Sequence, residues 1–96
     1  MRVTTKEDVM NIIEYLLQHM PDLNLSFNKI RKSGNTFPAI AIPVSQMDEE
    51  TSQILTGLIF KKCLELGLTN QNGSANIDTA LKKTKTNKLV VLFFHH

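Results

Sequence analysis

Ninety-six residues, 42% hydrophobic and 21% charged, make one ordinary globular domain that can bury a core without a metal or a disulfide. A net charge of +2 neither demands nor excludes nucleic acid, and the single cysteine, Cys63, excludes an internal disulfide and fits a reducing compartment. The longest apolar run, Leu89–Phe94, is too short to span a bilayer, and Glu7, Asp8 and Glu14 interrupt the apolar pattern of a signal peptide; a cytoplasmic protein of a bacterial or host cell is expected, with no membrane partner.

Thr4 and Glu7 have capping-box spacing, and Val9, Met10, Ile12, Ile13, Leu16, Leu17 and Met20 then recur at helical period until Pro21. This predicts a one-stripe helix over residues 5–20, with Tyr15 and His19 on its rim. Leu23, Leu25 and Phe27 alternate with polar residues as in a half-buried strand, and Lys29, Arg31 and Lys32 follow towards a loop. Ser33-Gly34-Asn35 is turn chemistry, and Thr36–Val44 reads as a second strand, apolar or small on both faces. Pro38 and Pro43 belong at strand ends or an edge, since neither has an N–H to give.

Ser45–Gly67 is the longest predicted element. Ser45 and Asp48 form a capping pattern, acidic residues occupy the first turn, and Gly67 is a left-handed stop. At roughly 100° per residue, Met47, Ile54, Leu55, Leu58, Ile59 and Leu66 share one face, with the stem of Lys62 lying along it. Phe60 and Leu64 point the other way, so the helix carries two apolar stripes and needs two neighbours. Asn70–Ser74 is an open polar loop. Ala75–Leu81 favours a strand, Lys82 to Lys88 a basic hairpin connection, and Leu89–Phe94 a central strand apolar on both faces. The expected fold is α+β: two helices and a mainly antiparallel four-stranded sheet in the order α-β-β-α-β-β, a single domain over residues 1–96.

The chemistry-bearing residues are sparse. No nucleophile elbow, phosphate-binding loop, dinucleotide-binding glycine pattern or zinc-protease motif occurs, and Gly34, Gly57, Gly67 and Gly73 are scattered. The one nucleophile–base combination available is Cys63 with His19, which spacing does not place together. No catalytic residue, cofactor site or metal site is therefore assigned. His95 and His96 are adjacent, so on a strand they point to opposite faces; a frayed end or a tag remnant accounts for them.

Two functions follow from what is left. The surplus apolar surface predicts a non-enzymatic protein-binding module or homo-oligomer, with Phe60, Leu64, Phe37 and Phe94 as contact residues. Its small size and its abundance of lysine and asparagine suit an accessory or inhibitory protein of a phage or mobile element. The alternative is a nucleic-acid-binding domain using Lys29, Arg31, Lys32, Lys82, Lys83, Lys85 and Lys88, provided that both basic hairpin ends share one rim of the sheet. Neither patch has interleaved aromatics or an arginine fork for reading bases.

Overall fold

The computed structural model describes residues 3–69 and 72–95. Its elements are α1 (Lys6–His19), β1 (Ser26–Lys32), β2 (Asn35–Pro43), α2 (Glu49–Leu66), β3 (Ile77–Lys83) and β4 (Lys88–Phe94), with a 3-10 turn, Val44–Gln46, leading into α2. The four strands form one antiparallel sheet in the order β1-β2-β4-β3. The α+β class and the element order are those expected from the sequence.

Each helix starts later than its spacing suggested. The capping box of α1 is Thr5 with Asp8: the Asp8 N–H donates to Thr5 Oγ1 at 3.2 Å, and the Thr5 N–H donates to Asp8 Oδ2 at 2.8 Å. The buried face of α1 is Val9, Ile12, Ile13 and Leu16, with Asp8 of the cap buried beside it. Ser45 does not cap α2. It lies in the 3-10 turn, where its neighbour Gln46 accepts from the Asn24 N–H and donates to the Asp22 carbonyl, tying the turn to the loop after α1. Asp48 caps α2 instead, accepting the Thr51 N–H at 2.7 Å. The other end stops as expected: Gly67 is left-handed (φ 74°), and Leu68 donates back to the Cys63 carbonyl while its side chain is buried.

Register sorts the strands' side chains. Phe27, Ile40, Ile42, Val90, Leu92, Phe94 and Ile77 face the helices and join Val9, Ile12, Leu16, Leu55, Ile59 and Cys63 in the main core. Ile30, Phe37, Ala39, Ala41, Leu89, Val91, Phe93 and Ala80 face the other way and form a second, smaller cluster without helical residues. Both helices therefore lie on one face. Strand β4 is central, as expected, but no helix covers its second face.

That second face closes by curling on itself. Some Cα atoms of β1 and β4 come within 8 Å although β2 runs between them, where a flat sheet would hold them about 9.5 Å apart. Lys82 on edge strand β3 donates to Asn28 Oδ1 on the opposite edge strand at 3.1 Å. Ala39 and Ala41 form the floor of this concave side, and both are fully buried there without a helix. The sheet is thus less in need of a second cover than its composition implied.

Several strand assignments shift. Lys82 and Lys83 end β3 and Lys88 opens β4, so the expected basic connection from Lys82 to Lys88 shrinks to residues 84–87. Leu23 and Leu25 pack against the core ahead of β1 rather than within it, and Lys29, Arg31 and Lys32 are strand residues. Pro38 lies inside β2, a central strand. It is tolerated because the β2–β4 ladder begins one residue later, at Ala39. The β1–β2 turn, Ser33-Gly34, has positive φ at both residues (52° and 81°), the backbone of a tight two-residue hairpin. Asn70 and Gln71 of the predicted polar loop lie outside the described residues, as does His96.

Candidate protein-binding surface

The buried stripe of α2 is Leu55, Ile59 and Cys63, flanked by half-buried Leu58, Lys62 and Leu66. Ile54, assigned to the inner face from its spacing, is instead exposed, because the buried stripe runs through Leu55, Ile59 and Cys63 and the helical step of about 100° turns Ile54 to the outer side. Lys62 behaves as its setting suggests: its stem packs, its ammonium lies 5.2 Å above the Tyr15 ring, and it pairs with Glu65 at 3.5 Å.

The second stripe is exposed. Phe60 keeps 46% and Leu64 65% of its surface open to solvent. Phe60 borders a groove of about 160 Å³ between α2 and β3, lined also by Thr56, Ile59, Ile77, Thr79 and Leu92. The groove exists because α1 takes the ground above β1 and β2, leaving α2 beside it and short of edge strand β3. Leu81 shares the helix-side face of β3 with Ile77 and Thr79 and is 76% exposed. Sequence spacing did not single out Leu81. Its alternation with Ile77 and Thr79 was visible, but not that the helix layer stops before reaching it.

The four predicted contact residues do not share a surface. Phe60 and Leu64 are neighbours on α2. Phe37 lies on the concave side of the sheet, its ring 6.0 Å from Phe93 and 6.2 Å from His95. Phe94 is buried beneath the helices, so it faces no partner and leaves the set; its parity in β4 sends it to the core, whereas Phe93 goes to the other side. Around Phe37 lies a shallow depression of about 200 Å³ with Lys32, Asp78, Phe93 and His95. Lys32 Nζ stands 5.6 Å above the Phe93 ring, and His95 Nε2 meets Asp78 Oδ2 at 2.7 Å.

The basic residues also separate. The β1–β2 turn sits at the end of the sheet where β4 finishes, and the β3–β4 turn sits at the end where β4 begins. Since β1 and β3 are opposite edges, the two clusters occupy opposite corners. Within each strand the charges split again: Lys29 and Arg31 share the helix-side face with Lys83 and Lys88, whereas Lys32 and Lys82 point to the concave side. The single positive rim on which phosphate binding depended is not formed.

Cys63 is fully buried, and burial first, then the charge of Asp8, pushes its thiol up to about 11. At neutral pH it is a protonated, packed side chain. His19 sits exposed on the last turn of α1, its Nδ1 3.0 Å from the Tyr15 carbonyl. Among the described residues no group of three or more His, Cys, Asp or Glu is placed to hold a metal ion, and no helix is long and apolar enough to cross a membrane.

These features define a small α+β domain in which Ile54, Phe60 and Leu64 on α2 and Leu81 on β3 are exposed large apolar residues, with Val3, Met10 and Val44 exposed elsewhere. No protein-family model matches the chain, and no curated protein or solved structure matches it.

Proposed function

We propose that the chain is a non-enzymatic protein-binding module that docks a partner through the outer side of α2. The carrying observation is the exposure of Phe60 and Leu64, one turn apart on a helix whose inner stripe already satisfies the core. A large apolar side chain held on a rigid helix is the kind of anchor that binding energy concentrates on. The helix-in-groove mode reads such a pair at i and i+4. An accessory or inhibitory role, in the cytoplasm of a cell or of a phage-infected host, accords with the chain's size and its lysine and asparagine content. Binding to nucleic acid is the lesser alternative, because the two lysine clusters lie at opposite corners of the sheet.

The test compares capture by wild type, Phe60→Ala and Leu64→Ala from a lysate of the source cell. Each substitution is expected to leave the fold in place. Leu64→Ala is expected to weaken capture of the same partner by about 2 kcal/mol, roughly thirtyfold. Capture should hold as salt rises, whereas phosphate binding would fall steeply. Equal capture by all three proteins would remove α2 from the interface.

A further inference from the structure

The free edge of β3 is self-complementary, and we infer that two copies of the chain pair there, β3 against β3, in an antiparallel two-fold arrangement centred on Ala80. This goes beyond partner docking on α2 and rests on the sheet edge.

The backbone sets the phase. Two hydrogen bonds bound the β3–β4 ladder: Thr84 N–H to the Asn87 carbonyl at 2.8 Å, and His95 N–H to the Asn76 carbonyl at 3.0 Å. Hydrogen-bonded pairs alternate along an antiparallel ladder. Counting inward from either bond gives the same answer. Asp78, Ala80 and Lys82 bond to β4, while Ile77, Thr79, Leu81 and Lys83 turn their N–H and C=O groups to the outer edge. The Ile77 N–H is taken by the Ala75 carbonyl, and Thr79, Leu81 and Lys83 present a regular row.

That row fits a second copy of itself. Strand β3 has 7 residues, Ile77–Lys83, with Ala80 in the middle. Pairing about Ala80 engages the whole strand and sets Thr79 opposite Leu81 as a hydrogen-bonded pair, each with an outward backbone. It also sets Asp78 of one copy, which meets its own His95 through Oδ2 and keeps Oδ1 for the partner, opposite Lys82 of the other, whose exposed ammonium exchanges Asn28 for that carboxylate, twice by symmetry. Opposite charges facing across an antiparallel pair are favourable, and like charges there are not. A shift of one residue in either strand puts inward-bonded groups against outward ones, and a shift of two separates Asp78 from Lys82. Register is thus set by backbone and charge together.

The side chains agree. On the helix-side face, Leu81 of each copy lands beside Thr79 of the other, at the mouth of the groove that Phe60, Ile77 and Thr79 line. Leu81, the most exposed large apolar side chain among the described residues, meets an unfilled apolar recess, and does so reciprocally. Leu64 is not among the residues lining that groove, so this part of the outer side of α2 stays open to another partner even though Phe60 borders the pairing.

The experiment is sedimentation equilibrium on the full chain from micromolar to millimolar concentration. Wild type is expected to approach the mass of two chains. Thr79→Pro removes an outward N–H and leaves the β4 ladder intact; it should give a folded monomer. Asp78→Lys puts like charges in contact twice per dimer and should weaken self-association about tenfold or more, as should Lys82→Asp. Mixing Asp78→Lys with Lys82→Asp in equal amounts restores both opposite-charge pairs and should restore the dimer. Should Thr79→Pro fail to fold by circular dichroism, the charge variants and their mixture decide. A wild type that stays monomeric throughout, or a dimer that survives Asp78→Lys and Lys82→Asp, overturns β3 pairing. Either result leaves capture through Leu64 to be judged on its own.

Discussion

Cys63 carries a pH dependence that its surroundings dictate. Its thiol titrates in the folded protein near 11, raised above its ordinary value of 9.0, so the unfolded chain loses this proton first as pH rises. The associated stability is complete below about pH 9 and is lost between about 9 and 11. The denaturant midpoint of wild type is expected to fall more steeply over that window than that of Cys63→Ala. A thiol reagent at neutral pH should leave native protein unmodified and label it fully once unfolded. Phe60 and Leu64 give the opposite expectation. Leu64→Ala should move stability by no more than about 0.5 kcal/mol, and Phe60→Ala by less than the roughly 3–5 kcal/mol typical of a buried phenylalanine. Denaturant titration of the isolated protein checks both. Position in the fold, rather than residue type, separates the three.

At the scale of elements, the caps show what spacing can and cannot decide. Thr4–Glu7 and Thr5–Asp8 are both capping patterns, and the second forms: Asp8, buried at the foot of the helix, accepts from both the N–H and the hydroxyl of Thr5. Ser45 and Asp48 compete likewise, and Gln46 settles it by anchoring the turn to residues 22 and 24. Thr5→Ala is expected to cost about 1 kcal/mol, measured by denaturant unfolding. Asp48→Ala should lower the melting temperature, and Ser45→Ala should not. Its bond from the Thr51 N–H holds the Asp48 carboxyl below its ordinary range. That contribution is present above pH 4 and is lost as pH falls through the lowered value. Element order was legible because alternation, helical period and turn residues are local signals. The exposed site was half legible. Phe60 and Leu64 follow from helical phase alone, but Phe94 was misplaced and Leu81 passed over, since how far the helix layer reaches across the sheet is a tertiary fact.

For the molecule as a whole, both helices on one side and a curled sheet on the other account for the apolar faces of β2 and β4 without a second layer. The lysines of the β3–β4 hairpin are exposed, and replacing Lys82, Lys83, Lys85 and Lys88 together by Gln should leave a folded protein. Far-ultraviolet circular dichroism and a cooperative melt check this. With the two basic turns at opposite ends of the sheet, the same variant should change nucleic-acid retention little at physiological salt. The strand order has a further consequence, for the route by which the chain reaches this state. Each hairpin, β1–β2 and β3–β4, forms from neighbours in sequence, but the sheet is whole only when Ile42 finds Val90 and Ile40 finds Leu92. Joining residues so distant along the chain requires closing a long loop before any bond compensates, which makes folding slow. Until the hairpins dock, β2 and β4 each present an unsatisfied apolar edge, and for that interval the protein is most exposed to aggregation.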